Sequence, residues 1–308
     1  MRQLIVGSRK SKLALIQTKW VLAELKKAGI QNPIHIREIE TKGDKNLNVS
    51  LPKLGGGGVF LEEIEKDLLD ERIDFAVHSL KDIPVELPGG LEVTSIPVRE
   101  DPRDALLNRD GQSLMELPEG AVIGTSSLRR AAQLMRQRPD VQTKWIRGPI
   151  DSRIDQMLAG DFDAIVLAMA GLNRLGIGQN FIAECLPSDT FVPAMGQGAL
   201  AIESREADEE VRGMLMKIND EATEKAVITE RAFLSSFDEG EQAPIGGYAY
   251  IDEGVIYLHG MVIDAKGQKV VEHEASGKDP MTLAQEVADV LIDRGALDII
   301  AEVKQEMQ

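Results

Sequence analysis

One stretch, residues 121–153, constrains the fold more than any other part of the chain. It begins with an apolar run over residues 121–123, typical of a buried strand, and a Gly-Thr-Ser-Ser turn follows. Residues 128–138 have the composition of a helix, for which the serines and the threonine are suitable N-caps. A second strand is predicted over residues 142–146. Strand, helix and strand in this order predict one unit of an open α/β sheet.

The same alternation runs through most of the chain and predicts two α/β lobes that face each other across a cleft. Apolar runs at residues 3–7, 74–77 and 164–168 are each followed by a turn and a helical pattern. From about residue 219 the pattern changes to one helix, three strands and a final amphipathic helix, which predicts a small α+β domain. We predict a first lobe of residues 1–98 with 198–217, a second lobe of residues 99–197, and a C-terminal domain of residues 218–308.

The central stretch is also a basic island. Between Thr125 and Arg153 there are seven lysines and arginines against two aspartates, although the whole chain has a net charge of −16. Arg129 and Arg130 stand in the first turn of the predicted helix, where the helix dipole disfavours cations. Ligands of open α/β sheets bind at the carboxyl ends of strands, and helix starts attract anions. The pattern favours an anion site, and the alternative is a set of solvated helix faces with ordinary ion pairs.

Composition restricts the class of protein. The chain has 308 residues, 43% of them hydrophobic and 28% charged, which is typical of a soluble globular protein of two or three domains. No apolar stretch approaches the roughly 20 residues that span a bilayer, and no signal pattern precedes the first strand. These features predict a cytoplasmic protein without membrane contact.

Metals, disulfides and nucleic acids are not expected. The single cysteine, Cys185, excludes a disulfide framework and a cysteine-based zinc site, and the four scattered histidines form no metal motif. Net acidity and an aromatic content of 4% argue against nucleic-acid binding. A small-molecule substrate and a monomeric state are predicted.

Seven segments carry a resemblance to a known family. They are VGSRKSKLALIQ, VHSLKDIP, GTSSLRR, WIRGPIDSR, AGLNRLG, PAMGQGALAIE and EQAPIGG. Together they make the chain similar to the porphobilinogen deaminase (hydroxymethylbilane synthase) family over essentially its whole length. The resemblance implies two lobes like periplasmic binding proteins and a third domain that carries the primer-attachment loop. It also implies a transferase of haem and tetrapyrrole biosynthesis, which joins four porphobilinogen units head to tail on a dipyrromethane cofactor, loses ammonia at each step and releases hydroxymethylbilane.

The resemblance implies a set of functional residues as well. The family's carboxylate-binding positions correspond here to Arg9, Lys81, Ser127, Arg129, Arg130, Arg147 and Arg153. Guanidinium groups suit a substrate with an acetate and a propionate on its ring, because they bind carboxylates in a bidentate way. Asp82 matches the catalytic aspartate, which stabilises the cation left by loss of ammonia; outside this motif it would be an aspartate that pairs with Lys81 or caps a turn. His78 is interpreted as a structural histidine at a strand end.

The sequence departs from the family pattern where the family attaches its cofactor. Glu241 occupies the position of the attaching cysteine, in the run EGEQAPIG. A thioether requires a thiolate nucleophile, so covalent attachment of dipyrromethane is not expected. Gly57 and Glu62 stand where the family usually has lysine. Further departures are Pro149, Ser152 and Ser204.

These departures leave three interpretations open. The chain is a porphobilinogen deaminase with altered or lost activity, or it is a non-catalytic homologue that binds pyrroles or other anions. The third interpretation is an unrelated two-lobe enzyme that acts on phosphate or carboxylate esters.

Overall fold

The structure is a computed structural model that describes residues 2–45, 60–177, 181–237 and 243–307. The chain divides into two compact units, Met1–Glu100 with Gly198–Glu224 and Asp101–Gln197 with Lys225–Gln308. The first unit contains a five-stranded sheet, and the second contains a five-stranded and a three-stranded sheet. The domain boundaries stay a prediction, and each sheet draws its strands from one of the three predicted segments.

Strands and helices alternate along much of the first 220 residues, and three consecutive strands follow in the C-terminal part. The strands are β1 Leu4–Arg9, β2 Ile34–Ile39, β3 Phe75–Ser79, β4 Leu91–Ser95, β5 Asp104–Asn108, β6 Val122–Gly124, β7 Gln142–Lys144, β8 Ala164–Ala168, β9 Ile182–Leu186, β10 Leu200–Arg205, β11 Ile245–Asp252, β12 Val255–Ile263 and β13 Val270–Gly277. The α-helices are α1 Lys12–Lys27, α2 Lys42–Lys45, α3 Glu62–Leu69, α4 Leu128–Gln137, α5 Ile150–Ala159, α6 Met169–Leu175, α7 Glu209–Leu215, α8 Glu221–Ser235, α9 Pro280–Asp293 and α10 Ala296–Met307. None of these helices is both long enough and apolar enough to cross a membrane.

The two five-stranded sheets have the same pattern of strand directions. The strand order is β2-β1-β3-β10-β4 in the first and β7-β6-β8-β5-β9 in the second. In each sheet three neighbouring strands pair in parallel, and the fourth runs antiparallel to both of its neighbours. The predicted class, two α/β lobes and a small C-terminal α+β domain, is confirmed. The sequence pattern does not predict the antiparallel strands, because their apolar runs resemble those of any buried strand.

Helices cover both faces of the first sheet and leave its edge at the carboxyl strand ends to polar turns. Phe75 of β3 packs with Val21 of α1 on one face. On the other face Ala76 packs with Ile64 of α3. Each fully buried large apolar side chain contributes about 1.5–3 kcal/mol to folding, so these layers hold β1 and β3 in register.

The C-terminal sheet, of order β11-β12-β13, is also packed on both faces. Val287 of α9 and Ile299 of α10 form one core with Leu258 of β12. On the opposite face Met261 and Ile263 pack with Ala132 of α4. This second contact docks the C-terminal sheet on α4, the helix that carries three of the seven cations of the basic island.

Candidate carboxylate-binding site

A capped turn positions the start of α4 directly after β6. The Ser127 side chain accepts a hydrogen bond from the Arg130 backbone N–H at 3.3 Å, and the Thr125 hydroxyl accepts one from the Ser127 N–H at 3.1 Å. The predicted cap and helix start are therefore confirmed, since α4 begins at Leu128 with Ser127 as its N-cap. The cap orients the first turn of α4, from which Arg129 and Arg130 project.

Arg129 and Arg130 share one buried carboxylate, Asp104, at the start of β5. Arg129 Nη2 lies 2.7 Å from Asp104 Oδ2, and Arg130 Nε lies 2.9 Å from Oδ1. Gln197 Nε2 also donates to Oδ1, at 3.0 Å. Burial alone would raise the pKa of Asp104, but the two guanidinium groups hold it far below its usual value. Arg129 Nη1 donates a hydrogen bond to the Val192 carbonyl at 2.6 Å, and the residue is only 5% exposed. Its side chain is therefore oriented entirely by protein atoms.

Arg153, in α5, adds positive charge that no described carboxylate balances. Its Nε donates to the Gly148 carbonyl at 2.8 Å, and no carboxylate of the described residues pairs with it. Burial, together with the charges of Arg130 and Arg147, lowers the pKa of Arg153 to about 10. Arg153 therefore remains protonated at neutral pH, beside two other guanidinium groups. Such a cluster is electrostatically suited to an incoming anion.

Other members of the basic island form ordinary ion pairs. Arg136 pairs with Glu272 through two hydrogen bonds of 2.9 Å, and Arg138 pairs with Asp140 at 2.6 Å. Lys144 lies over the Phe162 ring, with Nζ 5.5 Å from its centroid. The alternative of ordinary ion pairs thus holds for part of the island, whereas Arg129 and Arg130 share a single carboxylate and Arg153 pairs with none among the described residues.

The first lobe brings Arg9, Lys81 and Asp82 to one edge of its sheet. Arg9 ends β1, and its guanidinium lies 4.0 Å from the centroid of the Phe60 ring. Lys81 and Asp82 lie in a one-turn 3-10 helix, Leu80–Asp82, directly after β3, with Lys81 exposed and Asp82 half-buried. Because β1 and β3 are parallel neighbours, these residues share one edge. Ser127, Arg129, Arg130, Arg147 and Arg153 belong to the second unit.

Sequence reasoning missed two groups of buried polar residues. Asp104 and Gln197 orient the arginines; the only sequence signal for Asp104 is a carboxylate at the start of a buried strand. In the first unit, His78 Nε2 lies 3.0 Å from Glu203 Oε2, with both side chains buried. Burial and the Glu203 charge raise the pKa of the neighbouring Glu65 to about 7.

The departures from the family pattern are only partly visible. Glu241 and Gly57 lie outside the described residues. Glu62 is exposed and pairs with Lys42, and the Ser204 hydroxyl lies 2.6 Å from that of Thr94. The sulfur of Cys185, in β9, lies 3.7 Å from that of Met169. Among the described residues, no group of histidine, cysteine, aspartate or glutamate side chains could hold a metal ion.

The fold and the site together define a class of protein. Two α/β sheets with the same pattern of strand directions carry cations at their carboxyl strand ends, and one cluster holds more guanidinium groups than carboxylates. The class is that of proteins with two α/β sheet domains, and the excess of guanidinium groups is electrostatically suited to an anion.

Comparison with known proteins identifies the family. Residues 4–213 match the family model "Porphobilinogen deaminase, dipyromethane cofactor binding domain", and residues 224–293 match "Porphobilinogen deaminase, C-terminal domain". The chain belongs to the porphobilinogen deaminase family. The resemblance seen in the sequence is confirmed, and the first match is to the domain that binds the dipyrromethane cofactor.

Curated relatives match over their full length. The porphobilinogen deaminase of Oceanobacillus iheyensis is 51% identical over 307 residues, covering 100% of this chain and 99% of the relative. That of Bacillus subtilis is 48% identical, covering 100% and 98%. Among solved structures, the periplasmic VFT2 domain of Bordetella pertussis BvgS is 15% identical and covers 70% of this chain and 86% of that chain, with a TM-score of 0.41. That likeness is too weak to inform function.

Proposed function

We propose that this chain binds porphobilinogen and linear pyrroles by their carboxylates and joins porphobilinogen units, with loss of ammonia, to hydroxymethylbilane. The activity belongs to tetrapyrrole biosynthesis, for which the family membership is the support. We further propose a cytoplasmic monomer whose partner is this small-molecule substrate, with residues 218–308 as the domain that carries the Glu241 loop.

The group of Arg153, Arg130 and Arg147, here called the Arg153 cluster, is the observation that carries the proposal. Arg153 is largely buried, lacks a carboxylate partner among the described residues, and is close enough to Arg130 and Arg147 for their charges to lower its pKa. A ligand carboxylate would relieve this repulsion and supply the missing acceptor. Hydrogen bonds to charged groups contribute roughly 1.5–3 kcal/mol each, so one acetate or propionate in a guanidinium fork is a substantial anchor.

The proposal gives the remaining arginines and the first lobe distinct roles. Arg129 acts as a positioning residue, because its donors are taken by Asp104 and Val192. In the first lobe, Arg9 and Lys81 bind further carboxylates. The half-buried Asp82 carboxylate stabilises the cation that forms when the substrate loses ammonia, and it assists proton transfer.

The described residues are suited to bind dipyrromethane through its charged carboxylates, but they include no side chain to which it could be attached covalently. Its carboxylates suit the same guanidinium cluster, and when bound it supplies the pyrrole ring to which the first substrate is joined. Glu241 offers a carboxylate where a thiolate is needed. Cys185 is no substitute, because it lies within β9, half-buried beside Met169. We propose that this chain holds its primer through charge alone.

Glu241 favours a second candidate function, a non-catalytic pyrrole-binding homologue. The two candidates differ in a porphobilinogen assay that follows substrate loss with Ehrlich's reagent and ammonia release in parallel. We expect turnover by the unaltered chain and a rate at least about 10²-fold lower for Asp82→Asn, since general acid–base catalysis typically contributes that much or more. Binding without turnover, with Asp82→Asn indistinguishable from the unaltered chain, would leave the non-catalytic homologue.

A further inference from the structure

The three tyrosines of the chain, Tyr248, Tyr250 and Tyr257, lie on one face of the C-terminal sheet. Tyr250 of β11 pairs across the strands with Tyr257 of β12; their ring centroids are 5.0 Å apart and the ring planes differ by 8°. Tyr248 continues the stack, with its centroid 6.0 Å from that of Tyr250. Cross-strand aromatic pairs stabilise a sheet. That role alone requires no cavity beside the rings.

A cavity of about 340 Å³ does lie beside this stack, within the size range of ligand pockets. The α4 contact covers the part of the sheet face around Met261 and Ile263, whereas Tyr250 is 47% exposed. Ser188 and Asp189, which follow β9, also line the cavity. The stacked rings therefore form one wall of a concave site rather than an isolated surface patch.

The polar groups of the cavity are acidic or neutral. Asp189 and Glu274 contribute exposed carboxylates, and among the described residues neither pairs with a lysine or arginine. Two arginines interact electrostatically with lining residues, and both are ion-paired. Arg136, which acts on His259, is held by Glu272 through two hydrogen bonds, and Arg103, which acts on Tyr248, is held by Asp101. His259 Nδ1 is buried and lies 3.3 Å from Glu274 Oε1, in a geometry that makes no hydrogen bond. Burial lowers the pKa of His259, so the ring adds no positive charge at neutral pH.

We propose that this cavity is a binding site for a guanidinium group. A guanidinium is planar and stacks on tyrosine rings, and its fork of donors matches a carboxylate such as Glu274. An ammonium ion has the charge but no flat face, and a carboxylated pyrrole would be repelled by Asp189 and Glu274. The guanidinium group can belong to free arginine or to an arginine side chain of a partner protein, and the two sources differ in the carboxylate of the free amino acid.

The test uses tyrosine signals, because a ring-labelled chain has only three tyrosines to assign by NMR. N-acetyl-arginine methylamide is titrated into the full chain, with N-acetyl-lysine methylamide as the cation control. We expect saturable shifts of Tyr250 and Tyr257 and at least about fivefold weaker binding of the lysine probe. If L-arginine binds as tightly as the blocked probe, the natural ligand is a free small molecule. If L-arginine binds more weakly, the ligand is an arginine side chain of a partner protein. Both outcomes support the site.

Two variants make the test specific. Glu274→Gln should weaken binding of the arginine probe about tenfold, the loss of one charge-assisted fork. Glu286→Gln, which removes the same charge from an exposed position of α9, should leave binding unchanged. Shifts that do not saturate, equal binding of both probes, or equal effects of the two variants would overturn the proposal. Porphobilinogen binding at the Arg153 cluster should be unaffected by Glu274→Gln. A failure of the guanidinium site would therefore leave the proposed function untouched, and the reverse also holds.

Discussion

At the scale of single residues, Arg153 is the cation on which ligand binding depends most. Arg153→Gln removes the charge that lacks a described carboxylate partner, and we expect it to weaken binding of a linear pyrrole by about 10- to 100-fold, the loss of one or two charge-assisted bonds. Arg109→Gln is the matched control, because Arg109 is an exposed arginine of the same lobe. Calorimetry at one fixed salt concentration compares them, and equal losses would show that only net charge matters.

Glu65 makes the stability of the first unit depend on pH. Burial, the Glu203 charge and, more weakly, Glu62 raise its pKa from 4.5 to about 7, while His78 acts in the opposite direction. The folded state thus binds the proton more tightly than the unfolded chain does. The contribution of protonated Glu65 to the stability of the folded state is fully present below about pH 4.5, and it is lost as the pH rises from there through about 7.

Glu65→Gln keeps the shape of the side chain and removes its titration. We expect the free energy of unfolding of this variant, relative to the unaltered chain, to rise by about 2–3 kcal/mol between pH 5 and pH 8. Urea unfolding at several pH values measures the difference. Glu86→Gln, at an exposed position of the same unit, should show no such trend, and a pH-independent difference for Glu65→Gln would contradict the assignment.

At the scale of elements, the turn between β12 and β13 depends on a glycine to dock on α4. Gly267 has φ +72°, and a Cβ there would collide with the Ala132 carbonyl oxygen and lie 2.6 Å from the Arg136 backbone nitrogen. Gly267→Ala combines backbone strain with overpacking, which together should lower the free energy of unfolding by about 2–4 kcal/mol. Hydrogen exchange of α4 and of the β12–β13 turn should rise with it.

Gly254 provides the control for that substitution. It has φ +77° in the turn between β11 and β12, and a Cβ there would meet no atom within 4 Å. Gly254→Ala therefore carries the strain without the collision, and it should cost only about 1 kcal/mol. Equal costs for both variants, measured by urea unfolding, would mean that the contact with α4 contributes nothing.

Local sequence signals predict elements better than their ends. The Ser127 cap and the start of α4 are confirmed, because the capping residues and the helix are adjacent in sequence. The strand predicted over residues 142–146 ends at Lys144, where the chain leaves the sheet with Trp145 half-exposed. The single final helix is in fact two, α9 and α10, separated at Gly295, whose φ of +94° breaks the helix.

At the scale of the whole molecule, long-range partners could not be predicted from the sequence. Asp104 lies 25 residues before Arg129, and an arginine in a first helical turn has the same local sequence whether it faces a ligand or a buried carboxylate. The sequence identified the basic island and the family motifs. It could not separate the paired Arg129 from Arg153, because that distinction depends on how β5, α4 and α5 pack.

The most direct test of the central claim, a linear pyrrole held by charge without a covalent anchor, compares native and denaturing mass spectra after incubation with porphobilinogen. We predict a pyrrole adduct in the native spectrum that disappears on denaturation and leaves the sequence mass. Glu241→Cys should convert it into an adduct that survives denaturation, because a thioether does not dissociate. A covalent adduct on the unaltered chain, or no adduct even in the native spectrum, would contradict the claim.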